Sequence, residues 1–451
     1  MRVHFIAIGG SAMHNLAIAL HLKGFTITGS DDEIFEPSKS RLKKHGLLPQ
    51  KQGWDPNSLD NNIDAVILGM HARKDNPELI KAQQLGLKIY SYPEYLFEQT
   101  KNKQRVVIGG SHGKTTTTAM VMHVLSILKM NFDYMVGAQL EGFDTMVRLT
   151  KEAPIAIFEG DEYLSSPIDL TPKFHWYKPH VAMLTGIAWD HMNVFPTWEN
   201  YISQFEKFAE DIVEKGILIY FDQDQELNKI AAKQNKRIQT KAYGTLTHST
   251  EKGQTIVRWK SQSYPMEVFG AHNLQNMNGA RLVCNALGIS DGDFLTAMQS
   301  FKGAAKRLQL IGKNNTTNAY LDFAHSPSKL KATTEAMKQQ FDDRQLLAIM
   351  ELHTFSSLSK NFLPQYKDTM NLADEAVVFF DPKVLQHKKL PAITKEEVIE
   401  SFGRKDLKVF TESAELAMWI KQQCYVNKNL LIMTSGNFSG IEIKALVSTI
   451  L

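Results

Sequence analysis

Short apolar runs of strand length alternate along the chain with segments whose apolar positions recur at helical spacing. Val3–Ile8 reads as a strand, Gly9-Gly10-Ser11 as a turn, Met13–Lys23 as a helix, and Phe25–Gly29 as a strand ending at Ser30-Asp31-Asp32. Ala65–Leu68 and Lys88–Ser91 are further strands. Val106–Ile108 feeds a second glycine turn and the helical stretch Thr116–Leu128. Ile155–Phe158, Val181–Leu184 and Ile217–Tyr220 are short runs of the buried type, and Thr255–Val268 predicts an antiparallel excursion. Asn318–Phe323, Gln345–Met350, Glu375–Phe380, Lys408–Phe410 and Asn429–Met433 complete the strand set. Strands alternating with helices predict βαβ units around parallel sheets. The polar stretch Lys101-Asn102-Lys103-Gln104 marks one boundary and another falls near Gly303, so the expected domains are 1–103, 104–303 and 304–451.

Composition narrows the class. With 451 residues, 43% hydrophobic and 22% charged, the chain is ordinary for a globular protein with several cores. A net charge of +3 without a Lys/Arg run suits anionic small substrates and gives no support to nucleic-acid binding. Cys284 and Cys424 form neither a CxxC motif nor a disulfide framework, which points to a reducing compartment. No signal-peptide pattern and no membrane-length apolar run is present, so a cytoplasmic enzyme is expected.

Val106-Val107-Ile108-Gly109-Gly110-Ser111-His112-Gly113-Lys114-Thr115-Thr116-Thr117 carries the chemistry. A strand delivers the chain into a glycine turn whose N–H groups can approach phosphate oxygens, and a helix follows with its positive end toward the anion. Lys114 supplies a cation for the β- and γ-phosphates and Thr115 a hydroxyl for Mg2+. Ile108 stands where the usual signature has its first glycine, which leaves Gly110-Ser111-His112-Gly113-Lys114-Thr115 as the working core. The N-terminal turn Ala7-Ile8-Gly9-Gly10-Ser11-Ala12-Met13 half satisfies a dinucleotide fingerprint, with Asp31 about twenty residues on. Three readings of it stay open: NAD, another pyrophosphate such as that of a UDP-sugar, or a plain structural turn.

Six motifs then occur in order: Gly110–Thr117, Glu159-Gly160-Asp161-Glu162, Asp190-His191-Met192, His272-Asn273-Leu274-Gln275-Asn276, Lys306-Arg307 and Asp322-Phe323-Ala324-His325-Ser326-Pro327. In these the chain resembles the Mur ligase family over essentially its whole length. The resemblance implies a Rossmann-like N-terminal domain for the UDP part of the substrate, a central P-loop ATPase-like domain, and a C-terminal Rossmann-like α/β domain that brings the amino substrate. It implies a reaction in which ATP phosphorylates a carboxylate and an amine displaces the phosphate, with ATP and Mg2+ as cofactors.

Residue by residue, the resemblance assigns Lys114, Glu162, His191 and Arg307 to catalysis, and Thr115, Glu162 and His191 to the metal. Gly110, Ser111, His112, Gly113, Lys114, Thr115, Thr116, Asn273, Asn276, Arg307, Asp322 and His325 fall to ATP. Gly9, Gly10, Ser11, Ala12, Met13, Ser30, Asp31 and His71 fall to the UDP substrate. The lysine that is carbamylated in some members has no counterpart: Phe205 stands at its place, with Lys207 nearby.

That absence suits the branches that load UDP-N-acetylmuramate itself. One adds L-alanine and the other adds the preformed tripeptide L-alanyl-γ-D-glutamyl-meso-diaminopimelate. Glu162-Tyr163 with Lys173–Pro179, Glu351–Ser357 and Thr434–Ile441 resemble the tripeptide branch, and Ala7 and Ala12 replace two glycines of the alanine branch. The expected activity is therefore tripeptide addition in peptidoglycan recycling, with L-alanine addition as the alternative, and the expected partners are UDP-N-acetylmuramate and a peptide or amino-acid acceptor, with no nucleic acid, no membrane, and a monomer or weak dimer. A non-catalytic nucleotide-binding regulator is the remaining alternative.

Overall fold

The computed structural model describes residues 1–189, 194–234, 237–251 and 253–451. The chain forms two compact units, the first comprising Met1–Thr245 with Gln275–Met298, the second Leu246–Leu274 with Gln299–Leu451.

The first unit holds two sheets. The N-terminal one contains β1 (Arg2–Ile6), β2 (Thr26–Ser30), β3 (Ala65–Leu68) and β4 (Ile89–Ser91), in the order β2-β1-β3-β4 and parallel throughout. The larger sheet contains β5 (Gln104–Gly109), β6 (Phe132–Met135), β7 (Val147–Arg148), β8 (Ile155–Glu159), β9 (Val181–Leu184), β10 (Ile217–Phe221) and β11 (Gln239–Tyr243). Its order is β11-β10-β9-β5-β8-β6-β7, parallel except for β7. β5 lies between β8 and β9, with Val107 beside Phe158 and Val106 beside Val181. The segments leaving the carboxyl ends of these three strands therefore converge at one edge of the sheet, where open α/β sheets place their ligands.

The second unit has a three-stranded antiparallel sheet of β12 (His248–Glu251), β13 (Gln254–Trp259) and β14 (Gln262–Met266). It also has a six-stranded sheet of β15 (Gln309–Lys313), β16 (Asn318–Asp322), β17 (Gln345–Glu351), β18 (Glu375–Phe379), β19 (Lys408–Phe410) and β20 (Lys428–Met433). The order is β15-β16-β20-β17-β18-β19, with only β15 antiparallel. Ala348 and Met350 join one apolar cluster while Leu347 and Ile349 join another, so both faces of β17 are buried and its run is apolar throughout.

The expected strands form within a few residues of their expected ends. Five others carried no clear apolar signal: β6, β7, β11, β12 and β15, of which β12 is a mostly exposed edge strand. β6 is interrupted by the buried Asp133, β7 is two residues long, and β11 and β15 are edge strands with exposed polar positions.

Asp133 is a tie inside the first unit. Its Oδ2 accepts from Lys103 Nζ at 2.6 Å, and its Oδ1 accepts from the Thr150 N–H and hydroxyl at 2.9 and 2.8 Å. Removing one member of a buried pair strands the other charge. Asp133→Ala is expected to cost about 3–5 kcal/mol, read as a loss of denaturation midpoint in chemical unfolding.

Candidate functional site

β5 ends in Gly109, and the turn that follows is possible only for glycine at two points. Gly110 has φ +124° and Gly113 φ +79°. A methyl group on Gly110 would collide with Thr185 Oγ1, and one on Gly113 with Asn276 Oδ1. Lys114 opens the helix Lys114–Ile127, and Thr116 is buried in its first turn. The Lys114 Nζ donates to Gly110 O at 2.6 Å and to Glu162 Oε2 at 2.7 Å. Burial by itself would lower the lysine pKa. The charges of Glu162 and Asp161 outweigh it and hold Lys114 above the ordinary lysine value.

A relay of hydroxyls supports the same carboxylate. The Ala188 N–H donates to Ser111 Oγ at 2.9 Å, Ser111 Oγ lies 2.8 Å from the Tyr201 OH, and Tyr201 donates to Glu162 Oε1 at 3.0 Å. The Ser111 hydroxyl thus works inside the protein, as does its N–H, which donates to Gly186 O at 2.9 Å. Thr185 donates its hydroxyl to His112 O, which fixes the crown of the turn.

Thr115 donates to Glu159 Oε1 at 2.8 Å, while Glu159 Oε2 accepts from the Gly137 N–H at 2.7 Å. Burial pushes Glu159 above the usual carboxylate range. Asp161 takes Lys173 Nζ at 2.5 Å, and Lys173 with Lys114 outweighs burial and holds Asp161 below that range. The carboxylate beside the threonine hydroxyl is therefore Glu159, whereas Glu162, the expected metal glutamate, sits on Lys114 and Tyr201. His191, with Asp190, lies outside the described residues. Among the described residues no group of three or more His, Cys, Asp or Glu side chains could hold a metal. The oxygens of Thr115 and Glu159 fit Mg2+ of the phosphate-bound kind, which takes one or two carboxylates and completes its shell with phosphate and water.

At the N-terminal turn, the Gly9 N–H donates to Asp31 Oδ2 at 2.6 Å, and Ala7 and Ile8 donate to Ser30 O at 3.0 and 3.1 Å. Ser30 Oγ donates to the buried Glu78. Asp31 holds the turn shut with one of its oxygens, and burial, followed by the neighbouring Asp32, raises its pKa to about 6. Gly10 precedes the helix Ser11–Leu22, in which Ala12 is half-buried and Met13 buried; His71 is exposed beyond β3. Ala7, where the alanine branch has glycine, sits at φ +68°.

Among the assigned residues of the second unit, Asp322 accepts from the Leu308 and Ala324 N–H groups at 2.6 and 2.7 Å. The Arg307 guanidinium lies 4.7 Å from the centre of the Phe323 ring, and His325 Nδ1 lies 2.9 Å from Phe323 O. Asp322, Arg307 and His325 gather at the end of β16. Asn273 donates its amide to Phe269 O at 2.9 Å. In the first unit Gly110–Thr116, Glu162 and Asn276 gather at the end of β5.

Phe205 is wholly buried among Phe174, Tyr201 and Phe208, and Lys207 reaches outward to Asp211 at 3.7 Å. Neither supplies a substitute for a carbamate. Sequence reasoning missed Glu159, Tyr201, Thr185 and Lys173. Glu159 and Lys173 stood inside recognised stretches; Tyr201 and Thr185 have no local signal.

The fold and the loop place the chain among α/β proteins with a phosphate-binding loop. Three family models match it in succession: the Mur ligase family catalytic domain over residues 2–104, the Mur ligase middle domain over 108–284, and the Mur ligase glutamate ligase domain over 306–438. A UDP-N-acetylmuramate–L-alanine ligase of Caldicellulosiruptor bescii is 30% identical over 410 residues, covering 87% of this chain and 86% of that protein. The solved UDP-N-acetylmuramate–alanine ligase of Thermotoga maritima matches with a TM-score of 0.73 at 21% identity, covering 100% of this chain and 98% of its own. The murein peptide ligase of Psychrobacter arcticus matches with 0.67 at 22%, with the same coverage. The chain belongs to the Mur ligase family. It is an ATP-dependent carbon–nitrogen ligase of peptidoglycan biosynthesis.

Because its folded pKa is raised, Asp31 favours the folded state in its neutral form. Its contribution is complete below the ordinary aspartate pKa and is lost as pH rises to about 6. Asp31→Asn keeps an oxygen for Gly9 and removes that loss. Its melting temperature relative to wild type is expected to rise from pH 4 to pH 6 and then level off; a difference independent of pH would contradict this assignment.

Proposed function

We propose that the protein joins the carboxyl group of UDP-N-acetylmuramate to the amine of an amino-acid or peptide acceptor, in the cytoplasm. The observation that carries this reading is the charged cradle of Lys114, Glu162, Thr115 and Glu159 at the carboxyl end of β5. A carboxylate is a poor electrophile because its leaving group would be oxide. Its oxygen attacks the γ-phosphorus, ADP leaves, and the resulting acyl phosphate has a good leaving group. The acceptor nitrogen then attacks the carbonyl carbon, gives up a proton, and expels phosphate that carries one former carboxyl oxygen.

In this scheme Lys114 turns from Glu162 toward the β- and γ-phosphates, and the glycine-turn N–H groups hold the same oxygens. Tyr201 and Ser111 keep Glu162 fixed as the lysine's counter-charge. Thr115 and Glu159 would hold Mg2+, which supplies a charge that screens the two anions from each other. Arg307, Asp322, His325 and the Asn273/Asn276 pair are proposed for the nucleotide on the family pattern, and His191 for a second metal. The turn at Gly9–Met13, with Ser30, Asp31 and His71, is proposed for the UDP end.

L-Alanine is the acceptor we favour, on the name that the 30%-identical relative carries. The tripeptide is the second reading. The stretches Lys173–Pro179, Glu351–Ser357 and Thr434–Ile441 favour it.

Phosphate release from Mg-ATP should require both UDP-N-acetylmuramate and an acceptor, and the ratio of kcat/KM values identifies which. Release that neither acceptor stimulates would refute the proposal. Lys114→Ala should lower kcat by on the order of 10^2–10^3 with an unchanged far-UV spectrum, and near-wild-type turnover would remove the lysine from the mechanism.

A further inference from the structure

The segment Gly137–Met146 joins β6 to β7 and is pinned at both ends. At its start, the Gly137 N–H donates to Glu159 Oε2, the carboxylate whose other oxygen takes the Thr115 hydroxyl. At its end, the Met146 N–H donates to Asn15 Oδ1 at 2.9 Å. Midway, Arg41 donates to Gln139 Oε1 at 2.8 Å.

Asn15 is fully buried in the first helix, one turn beyond Gly10–Ser11. Its Nδ2 donates to Ser11 O at 2.8 Å and lies 2.9 Å from His14 Nε2, while His14 Nδ1 lies 2.9 Å from Gly10 O. Burial, the largest influence, lowers the His14 pKa. His14 Nδ1 also lies 3.0 Å from Ser38 Oγ, and because Gly10 O can only accept, a neutral ring carries its proton on Nδ1 and accepts at Nε2 from Asn15. The amide is thereby fixed with its oxygen toward Met146.

We infer that Asn15 is a positioning residue, which through the segment 137–146 sets the N-terminal glycine turn at a fixed place relative to the phosphate loop. The two turns belong to different sheets, and a carboxylate and a triphosphate must meet within bonding distance for the reaction to begin. A buried amide that reads one backbone N–H across that gap provides the registry, and Glu159 ties the same segment to Thr115. The ligand side of this inference rests on the proposed use of UDP-N-acetylmuramate; the clamp itself does not.

The test uses Asn15→Ala and the milder Arg41→Ala in the full chain. In hydrogen exchange without ligand, peptides covering 137–146 should exchange at least tenfold faster in Asn15→Ala and less so in Arg41→Ala, with the peptide covering 114–127 unchanged. By calorimetry, the Kd for UDP-N-acetylmuramate should rise about tenfold while that for Mg-ATP stays within twofold. Unchanged exchange over 137–146, or equal weakening of both ligands, would overturn the inference. If the wild type itself fails to bind UDP-N-acetylmuramate, the substrate proposal falls and the exchange result alone decides the clamp. Should Asn15→Ala not fold, Arg41→Ala decides in the same way: faster exchange over 137–146 supports the clamp, and wild-type exchange overturns it.

Discussion

A buried ammonium balanced against buried carboxylates is the constraint around which the first unit is organised. Lys114 is almost out of water, and a charge there is tolerable only with an opposite charge in contact. Glu162 meets that need, and Tyr201 and Ser111 hold Glu162 so that it cannot turn away. The arrangement keeps a cation ready at the mouth of a glycine turn, at the cost of burying several groups that would be more stable in water. In the proposed reaction a triphosphate would relieve that tension by taking over the lysine. The same logic explains why Glu159 and Asp161 depart from ordinary carboxylate behaviour in opposite directions within three residues: one has mainly backbone and hydroxyl donors, the other a lysine of its own.

The sheet makes this arrangement possible. Placing β5 between β8 and β9 brings the segments after Gly109, Glu159 and Leu184 to one edge, although they are far apart in sequence. Each contributes a different element: the phosphate turn, the acidic pair, and Thr185, which closes over His112. The aromatic block of Phe174, Tyr201, Phe205 and Phe208 stands behind them. Tyr201, one turn earlier than Phe205 on the same helix, is the member of this block that reaches Glu162.

What the sequence showed and what it concealed divide along physical lines. Val181–Leu184 and Gln345–Met350 were legible because strands buried on both faces must be apolar throughout. Phe132–Met135 was concealed by Asp133, whose charge is satisfied by Lys103 from the bend that precedes β5. The turn Gly110–Thr115 was legible because its chemistry is local: strand, glycines, lysine, hydroxyl and helix are consecutive. The partner of Thr115 was not, because Glu159 and Glu162 are equivalent in a list of letters and are distinguished only by where β8 ends. Asp31 illustrates the same limit. Its spacing from the glycines matched a ribose-binding acid, while its geometry shows an oxygen engaged by Gly9. Tyr201 and Asn15 owe their roles wholly to tertiary placement.

The central claim is that this cradle activates a carboxylate by phosphoryl transfer. The most direct measurement uses UDP-N-acetylmuramate labelled with 18O in both carboxyl oxygens, followed by mass analysis of the phosphate released during turnover with the preferred acceptor. The account predicts one 18O atom per phosphate, carried over when the acyl phosphate is displaced. Unlabelled phosphate would contradict it.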